Sequence, residues 1–179
     1  AVKAENLRMV ELLCGLGARA DVADNNGCSP LFVAAVHGLT DIVIYLNKHH
    51  SNVNRQNNLG WSPIYAASRE GNCDMIRCLQ GLGGDVNLEN DKAWTPFYAA
   101  AHKGNVDVLK ILKELGADVN APNVNGWTPL FQAAKWGDVD MVRELLALGS
   151  DKNIANAKGK TPLDVATKED FEGVVELLK

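Results

Sequence analysis

Long apolar runs are missing from this chain. None approaches the roughly 18 consecutive apolar residues that a membrane-spanning helix needs, so no membrane insertion is expected. No charged-then-apolar leader opens the sequence either, and no signal peptide is expected. Excess basic charge is also lacking: 18 Lys and Arg face 22 Asp and Glu, a formal net charge of −4. A nucleic-acid partner calls for a strongly basic domain, so none is expected. Cysteine is scarce. The four, Cys14, Cys28, Cys73 and Cys78, show no paired zinc spacing. Free thiols suit a reducing compartment, so the expected location is the cytoplasm, with the nucleus as the other intracellular choice. Cys73 and Cys78 are five apart on a helical stretch and point to different faces. No metal site is expected.

Catalytic groupings are equally thin. The histidines are His37, His49, His50 and His102, and no serine, cysteine or carboxylate joins them in a catalytic set. No phosphate-binding or dinucleotide-binding glycine loop is present. Gly81-Leu82-Gly83-Gly84 reads as a helix stop, since a turn follows it instead of a helix. Neither an enzymatic activity nor a cofactor is expected of this segment.

What the chain does have is a period. Pro30, Pro63, Pro96, Pro129 and Pro162 follow one another at intervals of 33 residues, and only Pro122 is out of phase. A fixed period of this size marks an array of stacked supersecondary units, each too small to bury its own apolar face. Arrays present long surfaces, which points to binding rather than chemistry. A hydroxyl precedes each registered proline: Ser29, Ser62, Thr95, Thr128, Thr161. Such a pair starts a helix, because the hydroxyl caps an unpaired N–H and proline fits the first helical position. Four residues beyond each proline stands Ala34, Ala67, Ala100, Ala133 or Ala166, small enough for neighbouring helices to approach closely.

Gly38, Gly71, Gly104 and Gly137 close this first helix. A second helix follows, with apolar residues at helical spacing such as Val108, Leu109 and Leu112. Gly17, Gly83, Gly116 and Gly149 stop it, and His50 takes that place once. The Asn- and Gly-rich stretches between units read as protruding hairpin-like loops.

The unit Gly126-Trp127-Thr128-Pro129-Leu130, with Ala133-Ala134, Gly137 and a closing Gly116-Ala117-Asp118-Val119-Asn120, resembles the ankyrin repeat. The resemblance runs the whole length. It implies an all-α solenoid of stacked helix-turn-helix units with hairpin loops, one array over residues 1–179. Residues 1–23 would be a partial first repeat. Residues 24–56, 57–89, 90–122 and 123–155 would be full repeats, and 156–179 a truncated C-terminal capping repeat. Some positions depart from the family. Its histidine two places after proline is Phe32, Tyr65, Tyr98, Phe131 and Asp164 here, and Ala93 replaces the loop glycine found as Gly27, Gly60, Gly126 and Gly159. If that site needs a positive φ, Ala93 carries strain of about 1 kcal/mol. Asp170 likewise stands where a glycine belongs.

The resemblance also implies a function, the binding of another protein along a concave groove and the loop tips. Trp61, Trp94 and Trp127 recur two residues before proline, and Trp136 lies at the end of one inner helix. Tryptophan is favoured at interface hot spots, yet this column serves equally well for packing inside the array. Six residues after proline come Arg69, His102 and Lys135, with Lys103 beside them. A basic column along a tryptophan-lined groove suits an acidic, partly apolar segment of a partner protein. The expected contact set is therefore Trp61, Arg69, Trp94, His102, Lys103, Trp127, Lys135 and Trp136. Asn87 and Asn120 each follow a leucine by eight residues, Leu79 and Leu112. That resembles the context in which ankyrin asparagines are hydroxylated, and makes these two the candidate modification sites. A monomer is expected. The alternatives are a regulatory or substrate-recruiting domain of a larger enzyme, and a secreted or host-directed effector scaffold.

Overall fold

A computed structural model describes residues 1–179. A short 3-10 turn, Val2–Ala4, precedes eleven α-helices, and there is no strand. The helices are α1 (Leu7–Gly15), α2 (Pro30–Val36), α3 (Thr40–Lys48), α4 (Pro63–Glu70), α5 (Cys73–Gly81) and α6 (Pro96–Lys103), then α7 (Val106–Glu114), α8 (Pro129–Trp136), α9 (Val139–Ala147), α10 (Pro162–Lys168) and α11 (Glu172–Leu178). None exceeds 9 residues. Isolated helices shorter than about 12–15 residues are marginal in water, so stacking must hold these.

The even-numbered helices form an inner row. Each begins as its Ser/Thr-Pro pair dictates. Ser29, Ser62, Thr95, Thr128 and Thr161 accept from the N–H three residues on at 3.1, 3.1, 3.3, 3.1 and 3.2 Å. In the last unit Asp164 returns the bond, its carboxylate accepting from the Thr161 N–H at 2.9 Å. Left-handed Gly71, Gly104 and Gly137 terminate α4, α6 and α8. The residues after proline, Leu31, Ile64, Phe97 and Leu130, are fully buried. They join Leu46, Leu79, Leu112 and Leu145 of the outer row in one continuous core.

One buried group disagrees with its surroundings. Ser68 is 0% exposed and its hydroxyl has no partner. Ala35, Ala101 and Ala134 hold the same position in other units and are buried too. Ser68→Ala is expected to raise stability by about 1–2 kcal/mol, because it removes an unpaired buried hydroxyl. Urea denaturation measures it, and a loss of stability would show that the hydroxyl is paired in solution.

The loops stack as well. Asn57 Oδ1 accepts from the N–H groups of Leu59 and Trp61 at 2.9 and 3.0 Å. Asn90, Asn123 and Asn156 repeat this in later loops. Loop to loop, the Asn58 N–H donates to the Asn26 carbonyl at 2.9 Å and the Ala157 N–H to the Asn125 carbonyl at 3.0 Å. Ala93 takes the glycine's left-handed conformation, φ 58°, and the Val124 N–H still donates to the Lys92 carbonyl, at 3.3 Å. His50 and Asp170 also take positive φ, 65° and 57°. Ala93→Gly relieves left-handed strain but frees the unfolded chain, for an expected net gain of about 0.5–1 kcal/mol. A thermal midpoint no higher than the wild type's would contradict this.

Candidate partner-binding face

Along each inner helix, side chains four residues apart lie one above the other. In α4 and α8 that spacing lines up a tryptophan before the cap, an aromatic ring in the first turn and a cation in the second. In α4, Trp61 and Tyr65 have ring centroids 5.4 Å apart, and the Arg69 guanidinium lies 4.6 Å from the Trp61 ring centre. In α8, Trp127 and Phe131 stack at 5.7 Å, and Lys135 Nζ lies 4.2 Å from the Trp127 ring centre. Each such cation–ring contact contributes about 0.5–1 kcal/mol at a wet site. The two charges are thereby held in place, half-buried, beside apolar surface.

The middle unit differs. Trp94 stacks on Tyr98 with centroids 3.3 Å apart and is only 8% exposed. It serves as packing between units and offers a partner little area. His102 takes the cation's place but turns to Trp136, ring centroids 4.8 Å apart, and stacks on Tyr98 at 5.8 Å. Trp136 is the one tryptophan in the open, 47% exposed. Lys103 is exposed beside it.

The electrostatics follow from this packing. Burial pushes the Tyr98 phenol up to about 12, with Tyr65 adding to the effect. Burial lowers the His102 pKa from 6.5, and the positive charges of Lys103 and Arg69 lower it further. His102 is thus neutral at pH 7, and the face carries Arg69, Lys103 and Lys135 as its fixed charges.

A histidine depressed in the folded state is protonated first in the unfolded chain. Stability is therefore expected to fall as pH drops below about 6.5, and His102→Gln should flatten that part of the profile. Asp21 and Asp164 are held below their ordinary 3.8 by bonds to Arg19 and Thr161, so their loss comes in a lower, separate window. Urea midpoints at pH 7.5 and 5.5 test the histidine. An unchanged slope in the variant would remove His102 from this role.

Three hollows lie in successive seams of this face. One of ≈ 370 Å³ is lined by Trp61, Tyr65, Arg69, Trp94, Tyr98 and His102. A second, ≈ 230 Å³, opens between α6 and α8. The third, ≈ 390 Å³, has Trp127, Lys135, Lys160 and Lys168 in its wall. The structure therefore brings all eight expected contact residues to the rims or floors of these hollows. Two residues that composition and motif passed over also belong here. Gln132 lines the second hollow, buried in a row otherwise made of Val33, Ala66, Ala99 and Val165. Asp138 stands beside it where other units have Asn72 and Asn105. A polar residue in a small apolar column was the available signal.

The asparagines lie elsewhere. Asn87 Oδ1 accepts from the Asp118 N–H at 2.8 Å and its Nδ2 donates to the Gly116 carbonyl at 3.1 Å. Asn120 Oδ1 accepts from the Asp151 N–H at 2.9 Å. Each carboxamide clamps the following unit, which accounts for asparagine at these positions structurally. No group of three or more His, Cys, Asp or Glu side chains converges as a metal site would require. No helix is long and apolar enough to cross a membrane.

The family described as "Ankyrin repeats (3 copies)" matches residues 1–90, 64–156 and 123–179, together the full length. Among curated proteins nothing matches.

Proposed function

Because the chain belongs to the ankyrin-repeat family, whose arrays generally bind other proteins, we propose that it captures an acidic, partly apolar segment of a partner protein in extended form. The contact runs along the inner helices and loop tips, through Trp61, Arg69, Lys103, Trp127, Lys135 and Trp136. Trp94 forms the floor between them, and His102 stands exposed beside Trp136. One observation carries the reading: Arg69 and Lys135 are each laid over a tryptophan, so charge and apolar surface are presented together and already ordered. Groups fixed before binding lose little entropy on binding. The four cysteines are all free, in keeping with an intracellular location.

The geometry sets a register. Packed helices lie roughly 10 Å apart, and an extended chain advances roughly 3.3 Å per residue. A bound segment then meets equivalent positions about every third residue, and Arg69 and Lys135, two units apart, about every sixth. Selection from a phage library of random 12-residue peptides, with Arg69→Glu/Lys135→Glu for counter-selection, tests this. The retained pool is expected to be rich in Asp or Glu at about six-residue spacing, with Leu or Phe between. A pool rich in Lys and Arg, or one without charge preference, would overturn it.

A further inference from the structure

One register position of the inner helices, six residues after proline, is held by Arg69, His102 and Lys135 in three consecutive units. Arg69 and Lys135 are half-buried and reach back over tryptophans of their own units, 4.6 and 4.2 Å from the ring centres. His102 does the opposite. Its ring stacks on Tyr98 at 5.8 Å and meets Trp136 of the next unit at 4.8 Å, and the residue is exposed. With Tyr98 it lines the hollows on both sides of α6. The middle of the column is therefore open to a partner where its two ends are already engaged.

A segment that meets equivalent positions about every third residue sets one side chain opposite His102, midway between those that meet Arg69 and Lys135. In neutral solution that midpoint is an uncharged aromatic surface made by His102, Tyr98 and Trp136. Histidine is the side chain whose charge ordinarily changes between pH 5 and 8. The groups around it come from every neighbouring element. Tyr65 and Arg69 of α4 share the hollow on one side, with Asp91 and Lys92 from the loop before α6. Lys103 of α6 and Asp138, just before α9, share the hollow on the other. There α8 contributes Trp136 and no titratable group, and α7 puts none into either hollow. Burial, then Lys103 and Arg69, hold the imidazole below its ordinary 6.5. A carboxylate brought against it acts the other way and favours the charged form.

We propose that His102 selects what the partner places at the midpoint of the bound segment: an uncharged side chain in neutral solution, and a carboxylate in acid, when His102 becomes the third cation of the column. The assignment rests on this face binding an acidic, extended segment. Its sign follows from linkage. A bound carboxylate raises the pKa of His102, so the added affinity is complete below the free value and is lost as pH rises through the bound one. The free value lies below 6.5, which puts the gain on the acid side of neutrality. A rise of about one pKa unit on binding is worth about tenfold in affinity across the whole window. Glutamate, with a pKa of about 4.3, stays ionised over most of that window.

The test uses two labelled 12-residue peptides that differ only at the midpoint, glutamine in one and glutamate in the other. Each has glutamates six residues apart, leucines at the remaining places between them, and no histidine. Fluorescence polarisation at pH 7.5 and 5.5 gives the preference for glutamate over glutamine at each pH. In the wild type that preference is expected to grow at least about threefold at pH 5.5. In His102→Gln, an exposed substitution whose fold circular dichroism checks, it should stay constant. A second readout needs no variant array for binding: the imidazole of His102, titrated by NMR, should shift to a higher pKa with the glutamate peptide and not with the glutamine peptide. The proposal is overturned if the preference is the same at both pH values, if it grows equally in His102→Gln, or if the imidazole titration does not move. Binding of both peptides with a preference independent of pH removes this inference alone. No binding of either peptide at either pH removes the acidic-segment reading and this inference together.

Discussion

Phe97→Ala is expected to cost about 3–5 kcal/mol, the usual range for deleting a buried phenylalanine ring. Phe97 is 0% exposed and lies at the centre of the inner row, with Ile64 and Leu130 in the same register on either side. An array transmits stability only between neighbouring units, so a gap in the middle weakens two interfaces at once. Leu163 holds the equivalent position in the last unit but is only half-buried. Leu163→Ala should therefore cost clearly less, because a site open on one side can partly collapse. Urea denaturation followed by circular dichroism gives both values. Equal losses would mean that the array does not respond unit by unit, and the explanation by position would fail. A second signature is expected in the Phe97 variant: a broadened transition, as the two halves begin to melt separately.

The double reversal Arg69→Glu/Lys135→Glu is expected to lower affinity for an acidic peptide by at least about a hundredfold, since like charges brought together cost several kcal/mol. A suitable probe is a labelled 12-residue peptide with glutamates six residues apart and leucines between them. The effect should shrink at high salt, because both positions remain in contact with solvent. Fold stability should fall far less, by the two cation–ring contacts of about 0.5–1 kcal/mol each. Lys110→Glu supplies the control. Lys110 is exposed on α7 in the outer row, away from the face, and its reversal should leave binding unchanged. If the double variant binds as tightly as the wild type, the two cations are ornaments of the tryptophans and the face lies elsewhere. If Lys110→Glu weakens binding equally, only net charge matters.

Much of the architecture is legible from spacing because each unit repeats the same local physics. Ser/Thr before proline can do little but cap a helix, and all five pairs do so. Ala93, His50 and Asp170 stand in glycine positions and adopt positive φ, as the register demands. The binding face is less legible. Trp61, Trp94 and Trp127 share one register position, yet only Trp94 is driven into tight stacking and nearly out of solvent. The difference goes with the residue six after proline: Arg69 lies over Trp61 and Lys135 over Trp127, while in the middle unit that position holds His102, turned to Trp136.

The sequence alone therefore determined the family and where each inner helix starts. Those properties rest on contacts within one unit, between residues three or four apart, and recur with the period. Tertiary structure alone decided which tryptophan is open and which cation is pinned. Arg69 and Lys135 lie over tryptophans eight residues back in their own units, whereas His102, at the same register position, turns to Trp136 of the next unit. Asp138 shows the reason most plainly. Exchanging an asparagine for Asp138 leaves α9 capped as before, so nothing in its own unit marks the change. Only the carbonyls of the preceding helix register it, since they lack the donor that Asn105 gives to those of Ser68 and Arg69.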